Sequence, residues 1–109
     1  MKVRIISQGE YDRHEAEVRF TATADGRSVG VTVTSYALFI IREALDMPPA
    51  DPLIIYAASG RLLETVVAHA IESSDEPLNA YLITHQEVLR VTGNMAGGGN
   101  PHVPNRWKF

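Results

Sequence analysis

Tyr56, Glu64, His69 and His85 are the side chains here whose chemistry suits a small-molecule site: a phenol, a carboxylate and two imidazoles. An imidazole titrates near neutral pH, so with a carboxylate to orient it histidine can act as a general base. A pocket between the first hairpin and the second helix would be the place for such a site. Each residue also has a simpler reading. His69 sits near Glu72 in a helical stretch, where a half-buried histidine needs no catalytic role, and His85 opens a capped helix. Only a fold that brought His69 and His85 together would join them.

Other constellations fail on spacing. The 4 histidines (His14, His69, His85, His102) fall on separate elements, none in a helical pair with metal-ligand spacing. With Cys 0, disulfides, thiol catalysis and thiolate metal sites are excluded. Ser59-Gly60 is the nearest approach to a nucleophile elbow, yet it lies within helical periodicity. Gly97-Gly98-Gly99 resembles a phosphate loop in composition, but Asn100-Pro101 follows it where such a loop opens a helix. No catalytic, cofactor-binding or metal-binding residue is therefore assigned, and no cofactor is expected.

The elements that would position these residues are better defined. Val18, Phe20 and Ala22 alternate with Arg19, Thr21 and Thr23; after Asp25-Gly26, Val29, Val31 and Val33 alternate with Gly30 and Thr32. Asp-Gly supplies the two positive φ angles of a type I′ turn, and a two-residue loop sets the register. That register places Ala24 opposite Arg27, Ala22 opposite Val29, Phe20 opposite Val31 and Val18 opposite Val33, with all three apolar pairs on one face. Gly30, opposite Thr21, marks a bulge or a close backbone approach. Val3, Ile5 and Ile6 suggest a short opening strand that ends in a turn at Gly9 and Tyr11-Asp12.

Ser35 is the expected N-cap of a helix over about 36–45, whose stripe is Leu38, Ile41 and Leu45, widened by Ala37, Ile40 and Ala44. Phe39 is left over. Pro48-Pro49 stops this helix, and Asp51-Pro52 opens a second over about 52–73. Its seam is Leu53, Tyr56, Gly60, Leu63, Val67 and Ala70, flanked by Ile54, Ile55, Leu62 and Val66. Gly60 either lets another helix approach or breaks this one in two. Ala80 to Ile83 reads as a short strand, and Thr84 with Glu87 fits a capping box before a short helix. The expected fold is α+β: a small antiparallel sheet on a 17–34 hairpin, packed by two main helices. Residues 1–92 form one domain, and 93–109 read as a Gly-rich flexible tail.

This order of features resembles a family of small bacterial proteins catalogued as domain of unknown function 1488. The resemblance rests on Tyr11-Asp12 leading to Val18-Arg19-Phe20-Thr21-Ala22, on Asp25-Gly26, on Val33-Thr34-Ser35 with Ala37-Leu38, on Asp51-Pro52 and on Leu82-Ile83-Thr84. It covers about residues 10–90, implies a small α+β fold and implies no activity.

Composition narrows the function classes. With 13 acidic against 10 basic residues and a net charge of -3, no concentrated basic face is available for nucleic acid. No signal peptide and no membrane span are read from the apolar runs, so a cytoplasmic protein is expected. A chain of 109 residues buries roughly 60 to 70% of its unfolded surface, which leaves it modestly stable unless it associates. The helices carry more apolar surface than the hairpin covers. The expectation is thus a non-catalytic domain that associates, as a homodimer or with another protein, through Phe39, Leu53, Tyr56, Leu63, Val67 and Trp107. In Arg106-Trp107-Lys108-Phe109 two aromatics interleave with two cations, a pattern suited to docking on a neighbouring subunit or to a plain terminus. The alternative function is a small-molecule binder or minor enzyme using Tyr56, Glu64, His69 and His85.

Overall fold

The computed structural model describes the backbone of residues 1–97 and the side chains of residues 1–93. The strands are β1 (Val3–Ile5), β2 (Glu10–Asp12), β3 (Glu17–Ala24), β4 (Arg27–Thr34) and β5 (Ala80–Ile83). The helices are α1 (Ser35–Ala44), α2 (Pro52–Ala58), α3 (Gly60–Glu72) and α4 (His85–Gly97). The result is an α+β fold with a five-stranded mixed sheet in the order β1-β3-β4-β5, in which β2 also pairs with β3.

The hairpin has the expected register. Asp25 and Gly26 take φ of 50° and 87°, and Ala22↔Val29, Phe20↔Val31 and Val18↔Val33 are opposed. Their side chains face the helices with Val3, Tyr81 and Ile83, and Leu38, Ile41, Leu63, Val66, Val67 and Val88 close the core from the helical side. Burying each such aliphatic side chain contributes about 1.5–3 kcal/mol.

Several local expectations are corrected. Tyr11-Asp12 belongs to a strand, because β1 and β2 form one edge interrupted at Ser7–Gly9; both are antiparallel to β3. Gly9 is required at that interruption: a Cβ there would meet Val18 Cγ1 at 2.7 Å and Tyr56 Cδ2 at 3.0 Å. The cap of α1 is Thr34, whose hydroxyl accepts from the Ala37 amide at 3.0 Å, while Ser35 Oγ is buried without a hydrogen bond. Helix α1 ends with Asp46 at φ 59°. There the Asp46 amide donates to Glu43 and the Met47 amide to Arg42, as in a Schellman motif.

The second helix is two helices. α2 and α3 meet at an 87° bend. Ser59 makes the bend, for its hydroxyl donates to the Tyr56 carbonyl at 2.9 Å and ends the first segment. Nothing lies within 4 Å of a Cβ built on Gly60, so this glycine marks the break and no helix approaches it. Among the described residues no single helix is long and apolar enough to cross a membrane.

The sheet is mixed where an antiparallel one was expected. β5 runs parallel to β4, with Gly30↔Ala80 and Thr32↔Leu82, because α1, α2 and α3 form the crossover that returns the chain in the same direction. Gly30 accordingly sits in a regular ladder: its amide donates to the Asn79 carbonyl at 2.9 Å. Finally, α4 is longer than the short helix expected after Thr84 and continues to Gly97. Val91 and Thr92 are buried there, and Thr92 donates to the Val88 carbonyl at 2.9 Å. His102 and Trp107 lie outside the described residues.

Candidate association surface

The four polar candidates do not meet. Tyr56 is buried in α2, its ring centroid 5.0 Å from that of Phe20 and its hydroxyl donating to the Ser7 carbonyl at 2.7 Å. Burial pushes its phenol pKa up. Glu64, on α3, accepts from the Ile5 amide at 2.8 Å. His69 lies with Nδ1 3.8 Å from Glu87 Oε2, beyond hydrogen-bond reach. The Glu87 carboxylate turns to Arg90 at 2.7 Å rather than back to the helix start. His85 is on the opposite flank of α4, its ring 4.5 Å from that of Tyr36. Two residues on a helix are about 200° apart, so His85 and Glu87 face different neighbours. The space between hairpin and second helix, where a pocket was expected, is filled by Phe20, Tyr56 and the core. Among the described residues no group of three or more His, Asp or Glu could hold a metal ion.

The apolar candidates divide. Leu63 and Val67 are 0% exposed and Tyr56 is 8% exposed, all in the core beneath the sheet. The chain's own strands cover that part of the seam, so it is not surface. Leu53 and Phe39 are on the surface, with exposures of 42% and 36%. Phe39 belongs to a strip along α1: its ring is 6.2 Å from that of Tyr36, and the Arg42 guanidinium lies 4.9 Å above it. Arg42 also pairs with Glu43.

All four helices pack on one face of the sheet. The other face, formed by Arg19, Thr21, Thr23, Ser28, Gly30, Thr32, Ala80 and Leu82, has no described helix over it. At one corner Arg19 pairs with Glu17 at 2.6 Å and Asp12 at 2.9 Å. Amide donation from Glu15, more than Arg19, lowers the Asp12 pKa, and Glu17 chiefly raises that of Arg19. Beside this corner is a shallow concavity of about 430 Å³ between Ser7, Glu10 and Thr21.

The two edges of the sheet contrast. Along β1 and β2 the outward amide of Ile5 is capped by Glu64, the Ser7 hydroxyl replaces a ladder carbonyl for Thr21 at 2.8 Å, and Lys2, Arg4, Glu10 and Asp12 supply charge. β5 has no such protection. Its approach is fixed: Arg27 donates to the Leu78 carbonyl at 2.9 Å, and the Leu78 amide donates to the Tyr81 hydroxyl at 3.0 Å. Alternate residues of a strand turn their amides to opposite sides. Since Asn79 accepts from Gly30, the polar groups of Tyr81 and Ile83 face β4 and those of Ala80 and Leu82 face outward. Among the described residues no hydrogen bond reaches those outward groups. Pro77 to Thr84 contains no charged residue, and the Leu82 side chain is 57% exposed.

This edge was readable in part. Ala80–Ile83 was identifiable as a strand, and the uncharged run from Pro77 to Thr84 was the available sign of an unprotected edge; that β5 is the last strand depends on its parallel crossover. In comparisons with known proteins, no family model, no curated protein and no solved structure matches this chain.

Proposed function

We propose that this chain is a non-catalytic association domain that acts as a homodimer in the cytoplasm. The observation that supports this most is that, among the described residues, one face and the end strand β5 of the sheet are left bare while its other face and other edge are covered and capped. Natural sheets manage exposed edges with charge, proline, bulges or covering segments, and a bare apolar edge is a template for pairing. The dispersal of Tyr56, Glu64, His69 and His85 to separate surroundings favours association over a small-molecule site. The order of hairpin, helix and late strand supports kinship with the small bacterial family of unknown function 1488. That kinship brings no activity with it.

Light scattering across a micromolar concentration series tests this reading. The expected mass rises with concentration toward twice the 12.0 kDa of the chain. A mass that stays at 12.0 kDa throughout would contradict it.

A further inference from the structure

We infer that two copies of this chain pair through β5, antiparallel about a two-fold axis at Tyr81, so that one continuous sheet spans the dimer. This rests on the association reading above and specifies its contact.

The geometry is self-complementary. With the axis at Tyr81, Ala80 of one copy lies opposite Leu82 of the other, and the reverse holds across the axis. Ala80 and Leu82 are the two β5 residues whose N–H and C=O groups point outward. Each opposed pair exchanges both backbone bonds, giving about four hydrogen bonds between copies. Side chains directly opposite share a face, so each exposed Leu82 packs over the small Ala80 of its partner. A two-fold axis normal to the sheet keeps both helical layers on one side. It therefore sets α3 and α4, which pack on β5, beside their counterparts.

The bare outward groups of β5 select this edge, and the fit of Leu82 over Ala80 selects a second copy as the occupant. Pairing β5 with itself brings no like charges together, for Pro77 to Thr84 carries none. The β1/β2 edge is a poorer template, because it is interrupted at Ser7–Gly9 and its outward Ile5 amide is already taken by Glu64. A four-residue strand contributes less than the roughly 1,200–2,000 Å² of a stable interface, so the dimer is expected to dissociate at concentrations on the order of micromolar.

A charge exchange tests the register. In the double variant Ala80→Glu with Leu82→Glu, carboxylates oppose each other at both pairs, and dimerisation should weaken by more than about tenfold. Ala80→Lys with Leu82→Glu opposes unlike charges instead and should keep the dimer. Circular dichroism checks folding. Should the double glutamate variant unfold, Leu82→Pro removes an outward N–H without touching the bonds to β4, and its mass serves in the same way. A dimer unaffected by the double glutamate variant overturns the β5 contact while leaving association standing. Two folded, monomeric charge variants overturn the register about Tyr81. A wild-type chain that is monomeric throughout overturns both readings, including the case in which an extended peptide of another protein is the true occupant of β5.

Discussion

Along β1 and β2 the outward amide of Ile5 is met by a carboxylate from α3, and the strand breaks where Gly9 passes under Tyr56. Along β5 the outward groups of Ala80 and Leu82 meet nothing among the described residues. One sheet therefore ends in two physically different ways. An edge amide in water is tolerable, but an edge that is also apolar and uncharged invites another strand. Among the described residues the β1/β2 edge is closed and β5 is open, and on the proposed reading a second copy completes it.

The largest expected effect is at the closed edge. Gly9→Ala forces a methyl against Val18 and the Tyr56 ring, an overpacking that costs about 1–3 kcal/mol. Urea unfolding measures it, and a loss near zero would show that the interruption yields easily. Glu64→Ala comes next. It leaves the Ile5 amide bare, with an expected cost of about 1–2 kcal/mol, and it removes one of the protections of that edge. Species larger than a dimer should then appear in sedimentation; their absence would mean that the Ser7–Gly9 interruption and the edge charges block that edge without Glu64.

Tyr56→Phe removes the hydroxyl bond to Ser7, which holds the interruption to α2, at a cost of about 1 kcal/mol. It also changes the alkaline limb of the stability curve. Burial raises the Tyr56 pKa in the folded chain, so the unfolded chain loses this proton first. The stabilisation is complete below the ordinary phenol value and is lost as pH rises through the raised one. In the variant that part of the alkaline loss should vanish; an unchanged alkaline limb would assign it to other groups. The smallest effect belongs to Gly30→Thr on the uncovered face. A Cβ there meets only the Asn79 carbonyl oxygen, at 3.9 Å, and replacing glycine in a strand should stabilise by about 0.5 kcal/mol. The dimer mass should not change, and its loss would move the interface from the β5 edge to the sheet face.

What was legible in the sequence follows the range of the interactions. The hairpin register depends on Asp25-Gly26 and on neighbours a few residues away, and all of its expected pairs are present. The pattern Leu53, Tyr56, Leu63 and Val67 marks residues that need covering without saying what covers them; the sheet of the same chain covers the last three. The cap expected at Ser35 falls one residue earlier, on the hydroxyl of Thr34 at the end of β4. The parallel partner of β4 is set by a crossover of three helices, which no local pattern reports. His69 and His85 required their places around α4, and those places keep them apart.

The most direct test is amide hydrogen exchange of Ala80 and Leu82 at low and high protein concentration. If β5 pairs with its own copy, both outward amides exchange more slowly as concentration rises, by the factor expected from the fraction dimerised, while the already bonded amides of Tyr81 and Ile83 change far less. Exchange at Ala80 and Leu82 that is independent of concentration, in a solution where the dimer is populated, would contradict the account.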